Sequence, residues 1–136
     1  MRFEELIAWQ KSKELAISIY EIFKNSKDFA FKDQILRASV SVMNNIAEGY
    51  ERRHDSKEFR HFLYIEKGSC GEVRSMLHLA LELKYISKEK FLSLQALATE
   101  TSKIIFGWAG DERKQGFGKP PGSSIPPYGA TEEVAS

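Results

Sequence analysis

The chain has a single cysteine, Cys70, among 136 residues. No disulfide can close within it, and a solitary thiol agrees with a reducing compartment. Net charge is nearly absent as well, at +1. The molecule as a whole exerts no field that would gather nucleic acid, so any such attraction has to come from a local patch. Long apolar runs are missing too, each being broken by charge well before the roughly 18 residues of a bilayer span. The opening Met1-Arg2-Phe3-Glu4-Glu5 puts acids where a secretory signal needs an apolar core. These absences predict a cytoplasmic protein with no membrane association. There is no phosphate-cradling glycine loop, no Ser-His-Asp ordering and no zinc-ligand spacing. Strand alternation and internal repeats are also lacking.

What is present is helical periodicity. The length suits one domain, and the pattern predicts an all-α, antiparallel up-down-up-down four-helix bundle over residues 1–115 with a disordered Gly/Pro/Ser-rich tail at 116–136. The first helix is expected from Phe3 to Lys24. Its apolar residues fall on two sides, Phe3, Leu6, Ile7 and Ile17 against Leu15, Ile19 and Ile22, which is more apolar circumference than one core covers and points to a subunit interface. Asp28 is the expected N-cap of a second helix that ends at Gly49 or Tyr50. In that helix Ile35, Ser39, Val42 and Ile46 form an apolar stripe beside a small, polar one of Ala38, Ser41, Asn45 and Glu48. Asp55 and Glu58 have the spacing of a capping box for a third helix, Ser56 to Lys84. Ser87 caps a fourth, whose seam is Phe91, Leu94, Ala98, Thr101, Ile105 and Trp108.

Chemistry-bearing residues concentrate on the third helix. Lys57, Arg60, Tyr64, Lys67, Gly71, Arg74 and His78 share one sector away from the core stripe. Cations at one- and two-turn intervals around an aromatic can follow a phosphate backbone while the ring stacks on a base. Arg52 and Arg53 of the preceding linker extend this candidate nucleic-acid surface; a solvated face is the simpler alternative. Asn45, Glu48, Glu66, Ser69 and Glu72 are expected to form a polar network between the second and third helices. Within it Glu66 sits in the apolar stripe and needs a partner, for which Arg37 is a candidate. Gly68, Gly71 and Ser75 leave a groove that invites close approach of another helix. Cys70 reads as a small core residue. Glu58 and His61 have the Glu-x-x-His spacing of di-iron bundles, but without a second copy no metal or other cofactor is expected.

Four segments carry a family resemblance: Phe3-x-x-Leu6-x-x-Trp9-Gln10-Lys11; Gln34-Ile35-x-Arg37-Ala38-Ser39-Val40-Ser41-Val42; Asn45-Ile46-Ala47-Glu48-Gly49; and Lys57-Glu58-Phe59-x-x-Phe62-Leu63-Tyr64-Ile65-x-Lys67-Gly68-Ser69 with Glu72. Over about residues 3 to 110 the chain resembles the four-helix bundle family encoded in intervening sequences of bacterial 23S ribosomal RNA. More distantly it is similar to the accessory protein of diversity-generating retroelements. The resemblance implies a bundle without catalytic activity and, through the distant relative, a pentameric barrel with a basic surface that works with a reverse transcriptase and nucleic acid. Two departures from the family pattern are Glu66, where a small apolar residue is usual, and Cys70-Gly71 in place of a Leu-Ala type pair.

The expected function is therefore a non-enzymatic homo-oligomer, pentameric by resemblance, that binds RNA or a ribonucleoprotein, or DNA, through its basic face. The alternative is a protein-interaction scaffold, such as a reverse-transcriptase accessory protein, with no direct nucleic-acid contact.

Overall fold

Two aspartates set the starts of the central helices. Asp28 Oδ1 accepts from the Phe31 amide at 3.1 Å, and Asp55 Oδ1 accepts from the Lys57 and Glu58 amides, each at 3.1 Å. These carboxylates satisfy donors that a first helical turn leaves without carbonyl partners. Ser87 Oγ does the same for the last helix, accepting from the Lys90 amide at 3.0 Å. The computed structural model describes residues 1–115, with a 3₁₀ turn at Phe3–Glu5 followed by α1 (Ile7–Phe23), α2 (Phe29–Glu51), α3 (Ser56–Glu82) and α4 (Lys88–Gln115). No strand occurs among the described residues. The expected tail at 116–136 and the side chain of Trp108 lie outside the described residues.

Short connections force sequence neighbours to run antiparallel. α1 and α3 each pack against both α2 and α4, which gives the up-down-up-down square. The core combines Leu15, Ile19 and Phe23 of α1 with Ile35, Val42 and Ile46 of α2, and Phe59, Leu63, Val73 and Leu77 of α3. α4 contributes Phe91, Leu94, Ala98, Thr101 and Ile105, the seam read from its spacing. Thr101 is tolerated there because its hydroxyl donates to the Leu97 carbonyl at 3.0 Å.

Four sequence expectations change. The first helix is interrupted: Leu6 is extended, with φ −75° and ψ 129°, and separates the 3₁₀ turn from α1. That kink buries Leu6 completely while Phe3 turns its ring edge-on to Trp9, with centroids 5.2 Å apart. Part of the two-sided apolar pattern therefore came from joining two pieces that share no helical wheel, although Ile17 and Tyr20 remain about half exposed. Gly49 does not end α2. It is buried inside the helix, where the start of α3 packs against it. The capping box is half made, because the Glu58 carboxylate pairs with Arg52 instead of returning to the Asp55 amide. Finally, α3 stops at Glu82 in a Schellman turn, with the Tyr85 amide donating to Ala80 and the Lys84 amide to Leu81.

Candidate nucleic-acid interface

The outer side of α3 is built by exclusion. Burial of Phe59, Leu63, Cys70, Val73 and Leu77 fixes the helix's rotation. With 3.6 residues per turn, Lys57, Arg60, Tyr64, Lys67, Arg74 and His78 must then come out on the far side, and all six are exposed. Tyr64 is 79% exposed. Gln95 Nε2 of α4 donates to the Arg74 carbonyl at 2.9 Å, lacing α4 to α3 behind that side chain. The His78 ring packs edge-on to Phe91, with centroids 4.9 Å apart, and closes the face at its upper end.

The linker arginines are engaged elsewhere. Arg52 bridges Glu48 and Glu58, each at 3.2 Å, and lies over the Phe62 ring; the two carboxylates hold its guanidinium firmly charged. Arg53 stacks on Tyr50, 4.1 Å from the ring centroid, and donates to the Tyr50 carbonyl at 2.9 Å. Both fasten the α2–α3 corner. These contacts distinguish them from Lys57, Arg60, Lys67 and Arg74, which stand exposed on the outer side of α3 itself.

The polar network between α2 and α3 is smaller than expected and centres on a different residue. The Ser41 and Ser69 hydroxyls share a 2.8 Å hydrogen bond, and Asn45 Nδ2 donates to the Ser41 carbonyl at 2.8 Å and to its hydroxyl at 3.0 Å. Asn45 and Ser69 thus belong to it. Glu48 is occupied by Arg52, and Glu72 is exposed. Ser41 was visible in the small, polar stripe of α2, but no spacing rule marks it as the bridge between helices.

Glu66 also stands apart from that network. It is fully buried, and neither carboxylate oxygen has a hydrogen-bond partner. Arg37, its candidate partner, is 77% exposed and pairs with Asp33 at 2.6 Å. Burial pushes the Glu66 carboxyl up to about 8, against a lowering pull from Lys67, so at neutral pH it is held as the neutral acid. One turn on, the Cys70 thiol is also buried and donates to the Ala98 carbonyl at 3.1 Å. Burial, and then the Glu66 charge, push that thiol up to about 12, so it is no nucleophile.

Gly68 and Gly71 face open space, and a Cβ at either would meet nothing within 4 Å. Among the described residues no helix fills the groove they leave. His61 lies edge-on to Phe62 and Glu58 is paired with Arg52, so the Glu-x-x-His residues are committed to other contacts. No group of three metal-ligating side chains occurs among the described residues. No helix among them is long and apolar enough to cross a membrane.

Comparison with known proteins agrees with this architecture. No curated protein matches the sequence. Among solved structures, the chain is similar to a protein of unknown function from the S23 ribosomal protein family of Bacteroides thetaiotaomicron. The two are 27% identical with a TM-score of 0.72, over 81% of this chain and 99% of the other. Residues 4–107, which span all the described helices up to the last turns of α4, match the model of the 23S rRNA-intervening sequence protein family, and the chain belongs to that family.

Proposed function

We propose that this protein is a non-enzymatic, homo-oligomeric helical bundle that binds RNA or a ribonucleoprotein through the outer face of α3. The observation that carries the reading is the joint exposure of Lys57, Arg60, Tyr64, Lys67 and Arg74 on one side of one helix, in a chain whose net charge is only +1. Such a face supplies phosphate contacts, which give affinity and salt dependence but little sequence preference. Family membership supports an association with ribosomal RNA genes and adds no catalytic chemistry to the reading. The protein is expected to act in the cytoplasm.

Self-association is supported by a second patch. Ile17 and Tyr20 of α1 are 52% and 46% exposed, and Tyr20 borders a groove with Leu36 and Val40 of α2 that the Asp33–Arg37 ion pair also lines. An apolar patch with a charged edge of that kind on a small bundle suits burial against another copy. A pentamer, by resemblance to the retroelement accessory protein, is the expected assembly, and a reverse transcriptase is a fitting protein partner.

Replacing Arg60, Lys67 and Arg74 together with Glu should abolish an RNA gel shift, and an unchanged shift would remove α3 as the binding face. Light scattering should give a mass several times that of one chain; a monomer would sink the oligomer. If a protein partner is pulled from extract equally well before and after nuclease treatment, the scaffold reading is preferred.

A further inference from the structure

We infer that the outer face of α3 accepts single-stranded nucleic acid, one base stacking on the Tyr64 ring while Lys57, Arg60 and Lys67 take the flanking phosphates. This rests on the reading of α3 as a nucleic-acid face and adds the strand form, together with the contact that selects it.

Tyr64 is the starting point. A large ring left 79% exposed in the N-terminal third of α3 contributes little to the core. Helical side chains lean toward the helix N-terminus, so the Tyr64 ring lies over the turn that carries Arg60. By the same rule, a side chain at position 68, one turn further on, would lean back toward the ring. That position is glycine, and so is 71; a Cβ at either meets no atom within 4 Å. Glycine is among the least favourable residues inside a helix, and no close packing among the described residues compensates for these two. Their effect is to leave one side of the ring and the adjoining backbone bare.

An uncovered ring with cations seven and four residues before it and three after is the arrangement of sequence-tolerant single-strand binders, in which an aromatic platform is set in a cationic track. A duplex keeps its base faces stacked inside, so it could use the cations but not the ring or the bare backbone beside it. A single strand uses all three. From Lys57 to Arg74 the face runs about 25 Å along the helix, room for several nucleotides.

The test is fluorescence anisotropy on the full-length protein at one fixed ionic strength. Labelled single-stranded RNA, single-stranded DNA of the same sequence and the corresponding duplex serve as probes. Both single strands should bind more tightly than the duplex, because every base offers the same stacking face. Tyr64→Ala should lower single-strand affinity about tenfold and leave duplex affinity unchanged, whereas Tyr64→Trp should keep both. Gly68→Leu supplies a variant that cannot fail merely by unfolding, since leucine is the better helix former. It should match Tyr64→Ala in weakening single-strand binding, by crowding the ring. Equal affinity for all three probes, or no effect of Tyr64→Ala, would overturn this inference; the broader reading survives that result if the triple Glu variant still abolishes binding. Failure of every probe to bind would overturn both.

Discussion

A Cβ placed on Gly49 of α2 would stand 3.3 Å from Cβ of Phe62 on α3, with Leu63 Cδ2 at 3.7 Å behind it. Phe62 Cβ is fixed to the helix backbone, so relief requires α3 itself to move. Gly49→Ala gains about 1 kcal/mol in helix propensity but incurs an overpacking cost of about 1–3 kcal/mol. The expected net is a loss of about 1 kcal/mol. Gly68→Ala, in open space, should keep the propensity gain and stabilise by about 1 kcal/mol. Urea unfolding of the two variants should show midpoints moving in opposite directions. If both rise equally, α2 and α3 do not approach as closely as described.

The Ser41–Ser69 hydrogen bond, with Asn45 behind it, is the polar tie between the same two helices. Ser41→Ala takes from the half-buried Ser69 hydroxyl its bond across the helices, and Ser69→Ala leaves the Ser41 hydroxyl with Asn45 alone; each should cost about 1 kcal/mol. The double variant should cost less than the two together, because both hydroxyls are then gone. Strict additivity in a double-mutant cycle would count against the bond.

The division between structural and binding arginines can be tested through salt dependence. Both Arg52 and Lys57 are exposed, but Arg52 is held between Glu48 and Glu58 whereas Lys57 stands in the first turn of α3 on its outer side. Under the proposed function, Lys57→Ala should weaken RNA binding and reduce the slope of log K against log salt by about one. Arg52→Ala should lower the thermal midpoint while leaving that slope unchanged. A reversed pattern would return the linker arginines to the binding surface.

The α-helical architecture was legible because its signals are local. Asp28, Asp55 and Ser87 are caps of the expected type, and the seam on α4 follows from 3.6-residue spacing alone. The outward placement of Lys57, Arg60, Tyr64, Lys67 and Arg74 follows from the same periodicity once the core stripe is known. What could not be read depends on neighbours in space. Leu6 breaks a continuous apolar pattern because burying it while Phe3 meets Trp9 is worth more than one further helical turn. Gly49 looks like a terminator until Phe62 is placed against it. Arg37 with Asp33 and Arg52 with Glu48 have the i, i+4 spacing of helical ion pairs, but that Arg52 also reaches Glu58, and that Arg37 stays away from Glu66, is settled only by distances in space.

Lys84 has φ of 62°, the only positive φ at a non-glycine among the described residues. It occupies the left-handed position of the Schellman turn that ends α3, where a Cβ crowds the following carbonyl. Lys84→Gly should relieve that crowding and raise stability by about 0.5–1 kcal/mol, the relief being partly offset by the greater freedom of glycine in the unfolded chain. Lys84→Val, β-branched, should destabilise. Thermal unfolding of the pair checks this, and a Val variant as stable as the Gly one would argue against the turn.

Glu66 ties the stability of the bundle to pH in a direction opposite to that of most carboxylates. In the unfolded chain its carboxyl ionises near the ordinary value of 4.5, whereas in the fold it holds its proton up to about 8. Between those values the native state binds a proton that the unfolded state has released, so stability falls as pH rises through the window and levels off above it. The full contribution is on the order of 5 kcal/mol, of which more than half is already lost at neutral pH. Glu66→Leu fills similar volume without a polar group; it should stabilise the protein at about pH 8 by a few kcal/mol and flatten the dependence between about pH 5 and 8. Glu66→Gln should flatten it as well but gain less, since an amide there also lacks partners. Cys70 does not complicate the measurement, because a thiol pushed up to about 12 remains protonated throughout. Urea midpoints for the three proteins across the range decide the matter. A wild-type slope no steeper than that of Glu66→Leu would mean that Glu66 finds a partner in the folded chain.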